Sequence, residues 1–419
     1  MQTRVSSGTN GAVLPRATFF HAFILLSAVI CGTLAATVIG PILPAMQQHF
    51  AKIPGIQTLV PVVVTLPMLV FGVLAVVIGW TADKVGRKQV LVGSLVLYAA
   101  AGTAPLYLTS IYAILASRLL VGVAEAGAMT CSTTLIGDYF TGHQRDRYIS
   151  LQTTFAAGSA FIFNILGGAL GEHGWRVPFS VYALTLLIAP LVQIFIWEPL
   201  KAKPANSDQQ RGESSLEPEF RPALLALVCV IAFFAGVVFL MVPIHLSFMI
   251  VEVGVHSSSQ IGMAYAVSSF GVIVGTLVFG WLLVRWLNVL HQLLLAVAIC
   301  GAGFVLMGIA HDYTSLTIGA GVDGLGSGLM LPASVSWALR TLPFERRGLG
   351  IGAYMASQSI GYFCNPFLVL PLVASSGSRF PAIEIWGVAL LAVTAIALTI
   401  SILRRLIPGK IWRSHPSGR

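Results

Sequence analysis

Charge is what this 419-residue chain has least of: Asp, Glu, Lys and Arg make up 9% of it, against 56% for apolar residues. Ordinary globular chains carry about 25% charged residues, and a water-soluble core cannot absorb that surplus of hydrocarbon. Acids are scarcer than bases, 15 against 24, for a net charge of +9. The bases lie in short loops and gather on no single domain, which argues against nucleic acid as the partner. Cysteine is sparse too. The five (Cys31, Cys131, Cys229, Cys300 and Cys364) stand singly in apolar stretches, without the pairing of a disulfide framework or the spacing of a metal site. They read as packing residues, and neither a metal nor a cofactor is expected.

What is present is a series of apolar runs near the length of about 20 residues that spans a bilayer as a helix. Twelve such runs occupy approximately 18–46, 57–80, 89–109, 111–136, 147–171, 177–197, 222–250, 258–284, 289–310, 314–338, 347–373 and 382–406. Alternating the loops places 20 of the 24 Lys and Arg residues on the side of both chain ends; Lys52, Arg176 and Arg379 lie opposite, and Arg118 lies within a span. By the positive-inside rule both termini are cytoplasmic. Treating the first run as a cleaved signal peptide would leave a first loop on the wrong side of this charge bias.

Between Glu198 and Arg221 the composition turns to Lys, Asp, Glu, Ser, Gln and Pro, as in a flexible linker. The chain is therefore read as an N-terminal half over 1–197, a cytoplasmic linker over 198–221 and a C-terminal half over 222–419. The halves look like repeats. Gly79-Trp80 and Gly280-Trp281 are offset by 201, Gly122 and Gly324 by 202, and Asn164 and Asn365 by 201. The expectation is an all-α membrane protein whose twelve helices form two pseudo-symmetric six-helix bundles, with a substrate site between them near the midplane.

The run Gly79-Trp80-Thr81-Ala82-Asp83-Lys84-Val85-Gly86-Arg87-Lys88 separates the second and third spans. Its bases satisfy the inside rule; topology alone does not require Asp83. The pattern Gly-x-x-x-Asp-x-x-Gly-Arg-Lys in this position resembles the signature of the major facilitator superfamily. The resemblance implies a cytoplasmic latch between the halves made by Gly79, Asp83, Gly86, Arg87 and Lys88, with Asp138 and the N-terminus of the eleventh helix as partners. The later copy, Gly280 to Arg285, has lost the acid.

Three ionisable residues fall well inside spans: Arg118, Glu125 and Asp323. Charge at that depth is costly enough to suggest function. Arg118 and Gly122 match the family's helix 4 motif, which implies that the arginine faces the cavity and takes part in proton coupling. Glu125 lies on the same helix face as Arg118, about 10 Å along the axis, and reads as the proton carrier; a structural ion pair and substrate binding are the alternatives. Asp323 can pair with Arg118 across the cavity or simply reach water. Asn164 and Asn365, flanked by Phe161 and Tyr362, suit an amphipathic solute, and helix-to-helix hydrogen bonding explains them equally well. His21 and His245 are expected at helix ends, and Gly-x-x-x-Gly pairs such as Gly271 and Gly275, with Gly348, Gly350 and Gly352, at close helix contacts.

Helix 5 keeps the Gly167-Gly168 pair of the family's drug and proton antiporters, but Phe163-Asn164 replaces the Gly-Pro. The resemblance implies a secondary transporter in a bacterial inner membrane, working as a monomer by alternating access. Proton-coupled efflux of a drug-like compound or metabolite is the reading, with uptake of an organic acid or peptide as the alternative. An intramembrane enzyme would need a nucleophile with its base, or clustered ligands, at one depth, and the few intramembrane charges do not supply them. No catalytic residues are assigned.

Overall fold

The computed structural model describes residues 17–198, 222–283, 286–341 and 347–406. Twelve long helical elements run through them: α1 Phe19–His49, α2 Ile56–Val85, α3 Arg87–Leu106, α4 Ile111–Tyr139, α5 Gly142–Gly171 and α6 Val177–Phe195; then α7 Pro222–Glu252, α8 Ser258–Leu283, α9 Val289–Gly308, α10 Tyr313–Thr341, α11 Arg347–Ser376 and α12 Arg379–Leu406. Eleven contain a segment long and apolar enough to cross a membrane. The twelfth, α10, is diluted by Asp323 and by Gly319, Gly321, Gly324, Gly326 and Gly328. The composition is explained at the surface, where Val76 is 75% exposed and Ile194 71%, side chains that lipid accepts and water does not.

Two proline-bearing helices differ in outcome. Pro61 and Pro67 lie inside α2 without ending it, as neighbouring helices permit in a bundle. In α1 the α-helix gives way at Val38 to a 3-10 turn over Gly40–Ile42, since Pro41 cannot donate to the carbonyl four residues back. A second interruption, at Val29, has neither Pro nor Gly.

One buried apolar cluster is built from α1 to α6 with Phe248, and another from α7 to α12. Glycines set the closest approaches. A Cβ on Gly122 would lie 2.6 Å from the carbonyl oxygen of Pro67, and one on Gly324 2.1 Å from that of Ser268. The offset pair thus makes the same kind of contact, α4 on α2 and α10 on α8. Gly271 and Gly275 also meet α10 backbone, whereas Gly352 meets nothing among the described residues. All five cysteines are free, and three are buried. Residues 199–221, the body of the expected linker, and Arg285 lie outside the described residues.

The groups α1–α6 and α7–α12 touch through α5 on α8 and α2 on α11. Near the α5–α6 turn, Gly168 and Gly262 meet backbone to backbone. There Glu172, just past α5, accepts hydrogen bonds from the hydroxyl of Ser257 at 2.6 Å and the N–H of Ser259 at 2.8 Å, at the start of α8. On this side of the molecule the two groups are in direct contact.

Candidate functional site: a central cavity

Between the two groups lies a cavity of about 660 Å³ lined by α1, α5, α7, α8, α10 and α11. The lining follows helical spacing: Thr33, Thr37 and Gly40 from α1, Thr153, Ala157, Ala160 and Asn164 from α5, and Tyr354, Gln358 and Tyr362 from α11. Residues four apart share a helix face, so each stripe is one face of one helix. The wall is mostly apolar, with hydroxyls from Ser268, Ser269, Thr276 and Ser327 and one carboxylate, Asp323. No Lys, Arg or His stands among the described lining residues.

Asn164 donates from Nδ2 to Ser269 Oγ at 2.9 Å, bridging α5 and α8. Tyr362 lies against Phe239, with ring centroids 5.9 Å apart. Asp323 is 2% exposed, and its Oδ1 has no hydrogen-bond partner among the described residues. Phe161 is half-buried outside the lining. Asn365 is fully buried and does not reach the cavity; its Nδ2 donates to the Val237 carbonyl at 2.7 Å and its Oδ1 lies 3.1 Å from His245 Nε2. His245 is accordingly a core residue of α7, not one at a helix end. The Asn164 and Asn365 equivalence read from the repeat therefore ends in different environments.

Helix α4 contributes nothing to the lining. Arg118 is fully buried and turned toward α3 and α6: Nη2 donates to the carbonyls of Ala101 and Gly102 at 3.0 and 3.1 Å, and the guanidinium lies 5.3 Å from the Phe179 ring centre and 5.1 Å from that of Tyr182. The expected cavity-facing arginine and its pairing with Asp323 are absent from this conformation. The physical reason is local: the α-helical part of α3 ends at Thr103, so the carbonyls of Ala101 and Gly102 are among its last four, Pro105 has no N–H to offer that of Ala101, and the arginine supplies donors. Glu125, 5% exposed, packs against α1, where a Cβ on Gly32 would lie 3.6 Å from its Oε1. Its Oε2 has no hydrogen-bond partner among the described residues.

At the α2–α3 turn, Gly86 takes φ +114°, a backbone shape that glycine adopts freely. Arg87 bonds Asp83 Oδ1 through Nη2 at 2.9 Å and through Nε at 3.3 Å, while Nη1 binds Asp138. Gly79 makes only an ordinary contact with Thr130. Lys84 lies over the Trp80 ring. The cluster has a member the sequence reading assigned to the linker: Glu198, which accepts from the N–H groups of Arg87 at 2.8 Å and Lys88 at 2.9 Å. Tyr139 holds Glu198's neighbour Trp197 in place, its hydroxyl bonded to both the N–H and the carbonyl of Trp197 and its ring stacked on the indole. The cluster thus joins α2, α3, α4 and the segment after α6. The α11 N-terminus, its expected partner, adjoins side chains outside the described residues.

Membrane-length helices surrounding a mostly apolar cavity near mid-helix define a transporter of small solutes. The profile of the Major Facilitator Superfamily matches residues 25–286 and 246–418, and the chain belongs to that family. It is 26% identical over 306 residues to the 3-(3-hydroxy-phenyl)propionate transporter of Escherichia coli K12, covering 72% of this chain and 74% of that one. Against the bacillibactin exporter of Bacillus subtilis 168 it is 31% identical over 165 residues, or 37% of this chain and 40% of that one. The fold is also that of a bacterial homologue of the human lysosomal transporter Spinster in an inward-facing and occupied conformation, with a TM-score of 0.71 at 15% identity over 93% of this chain and 97% of that one.

Proposed function

We propose that the protein is a proton-coupled exporter of a neutral or cationic amphipathic organic solute. The observation that carries this reading is the lining: an apolar wall with hydroxyls, one carboxylate at Asp323, and no base among its described residues. Such a wall favours rings and alkyl groups with a few polar contacts and offers an organic anion no counter-charge. Asn164, Gln358 and Tyr362 are the polar contacts assigned to the solute. The halves 1–197 and 222–419 rock about the cavity, and the Asp83–Arg87–Asp138 cluster biases that motion from the cytoplasmic side of a bacterial inner membrane.

Glu125 is assigned the proton. It is buried on α4 with an unpartnered oxygen, and a carboxylate at such depth is costly when ionised. Arg118 supports the packing behind it. A second reading, uptake of an organic acid, draws support from the similarity to the hydroxyphenylpropionate transporter. Reconstituted vesicles with an imposed pH gradient and a panel of cationic, neutral and anionic aromatic solutes test both. Export of cations or neutral solutes driven by the gradient, lost in Glu125→Gln with solute exchange retained, is the expected result. Gradient-driven movement of anions alone sinks the solute assignment, and an unchanged gradient response in Glu125→Gln sinks the proton assignment.

A further inference from the structure

Three consecutive residues of α1 face three different helices just after its interruption at Val29. The carbonyl of Cys31 accepts the Tyr98 hydroxyl of α3 at 2.5 Å. Gly32 lies against α4, its Cβ position 3.3 Å from Met129 Sδ and 3.6 Å from Glu125 Oε1. The Thr33 hydroxyl is 2.8 Å from that of Ser159 on α5, and Thr33 opens the stripe Thr33, Ala36, Thr37 that lines the cavity. Glu125 does not reach the cavity, so this short segment is the partition between the two.

We propose that Gly32 is the positioning residue that transmits the charge of Glu125 to the cavity wall. The inference rests on the assignment of the proton to Glu125. With no side chain at Gly32, a space the size of a methyl is all that separates α1 backbone from the carboxylate, since a Cβ there would be in ordinary contact with Oε1. An anion there needs donors that the present packing does not give its free oxygen, and the strongest penalty in a dry interior falls on an unpaired charge. Gaining or losing the proton therefore displaces the segment Ile30–Thr37, and the cavity face of that segment moves with it. The other ionisable groups around the carboxylate are Cys31 of α1, Tyr98 of α3, Tyr182 of α6 and, on its own helix, Arg118. Arg118 is occupied by the α3 carbonyls. Among the described residues Glu125 has no ion pair.

The test adds one cysteine at Ala36 to the full chain, with Cys229 and Cys364 changed to serine and the buried Cys31, Cys131 and Cys300 kept, in lipid nanodiscs. Maleimide labelling is followed between about pH 5.5 and 8.5, relative to the same probe at Ala157 on α5, which cancels the pH dependence of the thiol itself. The ratio is expected to change by about threefold or more across that range, as for a shifted two-state population. Glu125→Gln should flatten it, and Gly32→Ala should weaken it by wedging a methyl between α1 and the carboxylate. If Gly32→Ala alone does not fold, the Gly32→Ala/Met129→Ala double variant relieves the 3.3 Å contact and keeps the methyl beside Glu125. A pH profile unchanged by Glu125→Gln, or no profile in the parent, overturns the proposal. Loss of proton-driven flux in Glu125→Gln with an unchanged labelling profile overturns the Gly32 role and leaves the proton assignment standing.

Discussion

Glu198 and Arg87 are joined through a backbone bond: the Glu198 carboxylate accepts the Arg87 N–H at 2.8 Å, and its second oxygen takes the Lys88 N–H at 2.9 Å. These are unpaired donors of the first turn of α3, and the acid caps them from 111 residues away. Removing an N-terminal cap costs about 0.5–2 kcal/mol. Glu198→Ala should lower the thermal midpoint of the purified protein, and Glu198→Gln, which keeps an acceptor oxygen, should lower it less. Equal losses would mean that the charge, not the hydrogen bond, holds α3.

That acid marks where sequence reading stopped. Residues Asp83, Arg87 and Asp138 were legible because one short motif and one helix-end acid carry them. Glu198 sits where composition turns polar, and nothing local distinguishes a tertiary cap from the first residue of a linker. The helix count was legible for a similar reason: apolar runs of spanning length have few alternatives. Facing was harder. Arg118, Glu125 and Asp323 were all found by their depth, but depth is one coordinate and facing is another, and only packing turned Arg118 toward α3. The stripe Tyr354, Gln358, Tyr362 follows four-residue spacing on α11, but uncharged residues at that spacing mark a packing face just as well as a cavity wall. Asn365 failed as an equivalent of Asn164 because its partner His245 is specific to the second half.

Arg118 offers a direct separation of packing from proton chemistry. Its guanidinium is fully buried and serves two carbonyls and two rings. Arg118→Ala leaves the Ala101 and Gly102 carbonyls without these donors, at about 1–3 kcal/mol for each unsatisfied group. Both stability and transport should fall. Arg118→Lys keeps the charge but not the planar fork, so a packing role predicts a loss close to that of alanine in a thermal melt. Full stability in Arg118→Lys with transport abolished would return the residue to proton transfer.

Where α5 and α8 meet, Glu172 holds the start of α8. The Ser257 hydroxyl and the Ser259 N–H bond its anion and bring its carboxyl below the usual carboxylate range. The contact therefore favours the α5–α8 junction fully above the ordinary carboxylate pKa, and that preference disappears as pH falls through the lowered value. Measured relative to a cysteine at the exposed Tyr107, which cancels the titration of the thiol itself, a cysteine at the buried Ile261 should label slowly and at an even ratio from neutral pH down to the ordinary carboxylate range, and at a higher ratio only below it. Glu172→Gln should raise labelling at neutral pH and remove the acid rise. An acid rise that persists in Glu172→Gln would locate the titrating group elsewhere.

Asp83 and Asp138 share Arg87 but not its surroundings: the Asp83 side chain is 63% exposed and that of Asp138 28%. An exposed ion pair contributes about 0–1 kcal/mol, so Asp83→Asn should scarcely move a thermal midpoint. Asp138→Asn removes the partner that ties α4 to α3 in a drier setting and should cost more. If Asp83 acts on the equilibrium between conformations, its effect belongs in accessibility and not in stability. Asp83→Asn should then change maleimide labelling of Ala157→Cys from the side of the α2–α3 turn, by about the fivefold or more that a coupling of 1 kcal/mol gives. Labelling that follows the thermal midpoint, small for Asp83→Asn and large for Asp138→Asn, would make the cluster a brace within α2, α3 and α4 and nothing more.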